Sequence, residues 1–194
     1  GGGYNLEKTA TANKLSLWIE NGDDGPIEVT TNTLDADTWY HIVGTNDGTT
    51  SKIYVDGSLI NSVSMGNPGG GEGDFKIGYN SDNVGSARYW HGNIDEVAIW
   101  NEAITATEIT ALYNSGSPLA ASSNTSNYTS SANLKGYWRF NENSGTTAYD
   151  LSGNGNHGTI NGASSSTDVP SADATAPATP TDLVATPGNA QVVL

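Results

Sequence analysis

Residues 91–116, HGNIDEVAIWNEAITATEITALYNSG, constrain the fold more than any other stretch, because a period of two gives way there to a period of 3.6. In the first half, apolar and polar positions (Ile94, Glu96, Val97, Ile99, Trp100) alternate as in a half-buried strand. The second half carries helix signals. Thr105 stands where a capping residue would, Glu108 follows at the T-x-x-E spacing, and Gly116 supplies a left-handed stop. The spacing predicts a capping box, in which each side chain satisfies a backbone N–H that the first helical turn leaves unpaired. A strand therefore runs straight into a short helix.

Upstream the chain reads as an antiparallel meander. Leu15, Leu17 and Ile19 share one face of a strand, residues 21–26 (NGDDGP) are dense in turn formers, and alternation resumes over 27–31. Residues 39–44 and 51–55 flank Asn46-Asp47-Gly48, and Asp56-Gly57 makes a second tight turn into 58–65. A glycine-rich loop at 67–73, a strand at 75–79 and a polar loop at 81–87 complete this part. Glycine is abundant, at 24 residues, while five Trp and nine Tyr against two Phe give aromatic residues with polar edges. The fold class expected is all-β, an antiparallel sandwich with one short helix.

The pattern G-x-I-D-E-V-x-I-W-N-x-A-I-T-x-x-E-I-x-x-L-Y closely resembles the closing motif of laminin G-like, concanavalin A-like jelly-roll domains. Trp39-Tyr40-His41-Ile42-Val43 and Lys52-Ile53-Tyr54-Val55-Asp56-Gly57 are similar to two earlier strands of that family. Residues 1–116 then resemble a jelly roll lacking its opening strands. Residues 117–133 (SPLAASSNTSNYTSSAN) read as a Ser/Thr/Asn-rich linker with little to bury, and they contain two glycosylation sequons. Residues 134–163, beginning Leu134-Lys135-Gly136-Tyr137-Trp138-Arg139-Phe140, resemble the opening of the same family. The end of the fold precedes its beginning. First and last strands are sheet neighbours in the family, so the resemblance implies that 137–142 lies beside 94–100. Residues 164–194 are a linker followed, at 174–194, by a stretch that resembles the start of a fibronectin type III domain, a sandwich of about 100 residues.

Seven basic against 21 acidic residues give a formal charge of −14, which disfavours a phosphate backbone or an anionic bilayer as partner. Nucleic acid is excluded on this ground, and no apolar run is long enough to enter a membrane as a spanning helix. The chain has no Cys, hence no disulfide and no thiolate ligand or nucleophile. It opens on Gly1 without Met or a signal peptide, as a fragment, a mature product or an excised piece would. The expected setting is extracellular or at a cell surface, in a bacterium.

For a site, Asp150 offers a carboxylate and Asn154 and Asn156 offer amide oxygens, on a loop whose glycines let backbone carbonyls turn inward, as calcium requires. The alternative is a metal-free Asx turn. In the laminin G-like family the equivalent loop holds a structural calcium completed by the Asp of the I-D-E-V strand, which implies Asp95 here. Asp95 beside Glu96 suggests a glucanase-like pair, but adjacent strand residues point to opposite faces and could not flank one glycosidic bond. No catalytic residue is therefore assigned. Tyr79, Tyr89 and Trp90 could form a sugar-stacking platform, whereas Trp18, Trp39, Trp100 and Trp138 are expected in the core. His41, His91 and His157 lack metal-ligand spacing.

Two non-catalytic functions follow. One is a structural or adhesive segment that joins copies of itself head to tail by β-strand exchange into a fibre. The other is a calcium-dependent carbohydrate-binding module whose partner is an extracellular polysaccharide.

Overall fold

The computed structural model describes residues 3–9, 13–20, 26–64, 74–81 and 87–170. The loop at 67–73, most of the turn at 21–26 and the fibronectin-like stretch lie outside the described residues.

Strands β1 (Gly3–Lys8), β2 (Leu15–Glu20) and β3 (Pro26–Thr30) pair antiparallel in that order. The two-residue period puts Leu17 and Ile19 on one face, and both are buried with Val29. A second antiparallel sheet contains β4 (Ile42–Asn46), β5 (Thr50–Val55) and β6 (Ser58–Ser64). Asp56 and Gly57, at φ 49° and 75°, make the left-handed turn that matches strand twist between β5 and β6.

Its middle strand, β5, is buried on both faces. Ile53 joins Leu17, Ile19 and Val29 in one core, while its neighbour Tyr54 points the other way and packs with Val43, Ile109, Leu112, Tyr128 and Tyr137 in another. Each such side chain, fully buried, contributes about 1.5–3 kcal/mol. Gly44 lies opposite Ile53 in the register, and a Cβ there would come within 2.9 Å of Leu17 Cδ1. Its bareness lets the two sheets approach.

Strand β7 (Tyr79–Ser81) pairs with β8 (Ala87–Tyr89). The expected strand at 75–79 begins only at its last residue, because Gly78, at φ 75°, turns the chain out of the extended region. Strand β9 (Val97–Trp100) likewise starts later than the alternation from Ile94 implied. Glu96, at φ 52°, breaks the extended run.

Helix α1 (Ala106–Tyr113) covers the second core with Ile109 and Leu112, and Ile104 precedes it. The capping box forms as its spacing predicts: Glu108 N–H donates to Thr105 Oγ1 at 3.2 Å, and Thr105 N–H to Glu108 Oε2 at 2.9 Å. The left-handed stop starts two residues before Gly116. Asn114, Ser115 and Gly116 take φ of 44°, 56° and 87°, and Asn tolerates that region because its short amide bonds locally.

Residues 117–133 depart from the expectation of a linker with little to bury. Tyr128 is fully buried, its hydroxyl donating to Ala121 O and accepting from Trp100 Nε1, each at 2.8 Å. One satisfied aromatic side chain anchors an otherwise polar segment. The chain then enters β10 (Leu134–Trp138), antiparallel to β9 with Tyr137 opposite Ala98 and Trp138 opposite Val97. The family's opening motif thus pairs beside its closing motif within one chain. β11 (Thr147–Ala148) and β12 (Gly158–Thr159) form a last short hairpin.

With antiparallel pairing throughout the described strands and one short α-helix, the molecule is an all-β sandwich. Of the four Trp expected in the core, Trp138 is buried and Trp100 packs against the second cluster. Trp18 and Trp39 are only half-buried, Trp18 because it alternates away from Leu17 and Ile19.

Candidate functional site

Three groups of side chains hold the polar chemistry singled out above, and only one of them is exposed enough to meet a ligand.

The first is Asp150. It is buried, and its oxygens accept backbone N–H groups: Oδ1 from Tyr137 and Ser152, Oδ2 from Asn156, each at 2.9 Å. Burial pushes the carboxyl pKa up, but the hydrogen bonds from Ser152, Asn156 and Tyr137 outweigh it and hold the group below the usual range. Asn154 and Asn156 turn their amide N–H groups to Leu134 O (2.9 Å) and Lys135 O (2.7 Å), and Leu151 N–H bonds Tyr137 O at 2.8 Å. The loop therefore runs along β10 as a substitute strand.

As arranged, these residues make a hydrogen-bonded Asx turn. The carboxylate lone pairs already face N–H donors, and Asp95 accepts from Glu96 N–H at 2.9 Å. Among the described residues no three His, Asp or Glu side chains converge for an ion. A chelator should accordingly leave the melting temperature unchanged, and millimolar calcium should not raise it; differential scanning calorimetry in both media checks this.

The second group is Glu96. Its side chain accepts the Tyr137 hydroxyl and, at 2.7 Å, Arg139 Nε. Burial, then the Glu96 carboxylate, pushes the Tyr137 phenol far above its ordinary range, so it is protonated at neutral pH. The alternation that set Asp95 and Glu96 on opposite faces does not apply, since Glu96 is left-handed and precedes β9. Glu96 clamps β10 onto β9.

The third group is aromatic. Tyr79 and Tyr89 are cross-strand partners on one face of the β7–β8 hairpin, ring centroids 5.3 Å apart, with Lys76 Nζ 5.3 Å from the Tyr79 ring centre. Trp90 continues the ladder, its N–H bonding Gly78 O at 2.8 Å. Trp90 stands just past the end of β8. The three expected platform residues thus lie at one hairpin. A Cβ on Gly92 would lie 3.2 Å from Trp90 Nε1, so the bare glycine leaves room for the indole. Tyr89 is 66% exposed and Trp90 39%.

Sequence reasoning missed a bridge that starts three residues after Trp90. Asn93 Nδ2 donates to Asp168 Oδ2 at 2.9 Å, and Trp39 Nε1 donates to Asp168 Oδ1 at 3.1 Å. No local signal could have joined these three, which come from distant parts of the chain.

A family model of the laminin G type, described as the concanavalin A-like lectin/glucanases superfamily, matches residues 1–110. No curated protein matches the chain. Among solved structures the chain is similar to a candidate carbohydrate-binding protein from Bacteroides ovatus, with TM-score 0.55 and 22% identity over 80% of this chain and 43% of that one. It also matches an S-layer domain-containing protein from Clostridium thermocellum, with TM-score 0.33 and 21% identity over 58% of this chain and 63% of that one. The chain spans less than half the length of the first; that likeness concerns the fold, and the second is too distant to carry more. Taken with the antiparallel sandwich and the strand-to-helix motif, the match over 1–110 establishes that the chain belongs to the concanavalin A-like lectin/glucanase superfamily, as a laminin G-like domain.

Proposed function

We propose that this domain is a non-catalytic carbohydrate-binding module of an exported protein, taking a polysaccharide at the exposed aromatic hairpin β7–β8. The observation that carries it is Trp90, an exposed indole with Gly92 against its ring nitrogen and Asn93 three residues along the chain. A sugar ring presents C–H groups to an aromatic face and hydroxyls to planar amides and carboxylates, which is the pair of surfaces found here. The resemblance in fold to a candidate carbohydrate-binding protein supports the same reading. Hydrolysis would need two carboxyl groups flanking an accessible bond. Glu96 is instead held by Tyr137 and Arg139 in the clamp between strands.

Strand exchange between copies has less to recommend it. The edge of β9 is filled by β10 of the same chain, and the outer side of β10 is bonded by the 150–157 loop.

Retention on a panel of immobilised polysaccharides tests the proposal. The wild type is expected to be retained by at least one, and Trp90→Ala to weaken that binding by about tenfold or more with little change in melting temperature, the residue being exposed. Retention by none, or unchanged binding by Trp90→Ala, would contradict it.

A further inference from the structure

We infer that Asp168 belongs to the glycan site just proposed: it fixes the loop that follows Trp90 and gives the site an acidic rim, so that the ligand is a neutral polysaccharide rather than a uronate or sulfated one. This rests on the carbohydrate-binding reading and goes beyond it in naming a positioning residue and a ligand class.

The geometry is a two-pronged carboxylate. Asp168 follows β12 in the chain, and its two side-chain oxygens accept from different elements: Oδ1 from the Trp39 indole at 3.1 Å and Oδ2 from the Asn93 amide at 2.9 Å. Its main-chain carbonyl also accepts from Asn93 Nδ2, at 3.4 Å, and its own N–H is tied to Ser166 Oγ at 3.1 Å. Single contacts of this kind on an exposed surface contribute little, but a bridge from residue 39 to residue 93 holds two elements at once. Asn93 stands three residues after Trp90, and Gly92 between them, at φ 146°, lies against the indole nitrogen. Restraining Asn93 restrains the turn that carries Trp90. Order set before the ligand arrives is order that binding need not impose.

Charge then selects the ligand. The carboxylate is bonded to Asn93, three residues from Trp90, in a chain with a formal charge of −14. The basic groups at and before the neighbouring hairpin have partners of their own: Lys76 sits over Tyr79, and Arg88 faces Glu7 at 3.8 Å. A polyanion meets repulsion at this face, whereas a neutral chain offers hydroxyl donors that Asp168 can accept.

The test uses the full chain with a neutral panel (β-glucan, xylan, galactomannan) and an acidic panel (pectate, alginate, a sulfated galactan), in affinity electrophoresis and calorimetry. The wild type should bind a neutral polymer with an affinity unchanged between roughly 0.05 and 0.5 M salt. Asp168→Ala should weaken that binding about fivefold or more while the melting temperature stays within ~2 °C, and Asn93→Ala should reproduce the loss. Asp168→Asn, which keeps an acceptor and removes the charge, should recover most of the neutral affinity and narrow the discrimination against uronates. If Trp90→Ala abolishes binding while Asp168→Ala and Asn93→Ala bind as the wild type, Asp168 has no part in the site although the module reading stands. Preference for an acidic polymer overturns the ligand class. Wild-type affinity in Trp90→Ala overturns the module reading itself.

Discussion

Glu108→Ala should cost roughly 3 kcal/mol at neutral pH, about 6–12 °C in melting temperature for a chain of this size. The carboxylate is buried where α1 meets residues 117–133, and both oxygens are fully used. Oε2 accepts from the N–H and hydroxyl of Thr105, each at 2.9 Å; Oε1 accepts from Thr129 N–H (3.2 Å), Thr129 Oγ1 (3.0 Å) and Ser130 Oγ (2.7 Å). Alanine leaves the donors of Thr129 and Ser130 facing an apolar methyl, and it removes half of the capping box. The same group gives the pH dependence its sign. Burial raises its pKa, but hydrogen bonds from Ser130, Thr105 and Thr129 outweigh that and bring it from 4.5 down to about 2. A folded-state pKa below the unfolded one means that the stabilisation is complete above about pH 4.5 and is lost as pH falls through about 2, a span of roughly 3 kcal/mol. Urea titrations between pH 7 and 2 should show this acid limb in the wild type and a shallower one in Glu108→Ala. Asp150, shifted in the same direction, accounts for part of what remains.

Gly136→Ala is the other substitution with a large expected effect. Gly136 lies on β10 under the indole of Trp138: an added Cβ would stand 2.3 Å from Cη2 and 2.7 Å from Cζ3. The ring cannot easily yield. Its Nε1 donates to Asn156 O at 3.0 Å, Phe75 stacks on it with centroids 5.5 Å apart, and it is 6% exposed. Relief requires moving the indole or shifting β10 away from β9, at about 2–3 kcal/mol. The expected result is a melting temperature lower by roughly 5–10 °C and a red-shifted tryptophan emission as Trp138 meets water. A double variant, Gly136→Ala with Trp138→Leu, should lose less than the two single costs added together, since the clash is gone.

Both sites show where sequence reasoning succeeds and where it stops. Glu108 is legible because capping is local: Thr105 and Glu108 are three residues apart, and the helix alone satisfies their N–H groups. The Asp56-Gly57 turn is legible for the same reason. The pairing of β9 with β10 could be inferred from motif order. What Glu108 also does for Thr129 and Ser130 could not, because those donors lie 21 and 22 residues away and their segment reads as a polar linker. Average composition conceals the single buried ring of Tyr128 that gives that segment its place. Glu96 escaped for a different reason: its backbone is left-handed and its carboxylate is held by Tyr137 and Arg139, partners 41 and 43 residues downstream, which no rule about alternation anticipates. At the aromatic hairpin the sequence showed the candidate rings but not that Tyr79 and Tyr89 would stand opposite one another across β7 and β8. Asp168, 75 residues from Asn93 and 129 from Trp39, left no trace in any local pattern.

Carbohydrate binding at Trp90 is tested most directly by the indole N–H signals in a 1H–15N spectrum, because the five tryptophans occupy different surroundings. On titration with a polysaccharide that the protein retains, the Trp90 signal should shift in proportion to occupancy. The signals of Trp100, bonded to Tyr128, and Trp138, bonded to Asn156, should stay in place. Saturable binding in which Trp90 does not move, or no shift with any polysaccharide offered, would contradict the assignment.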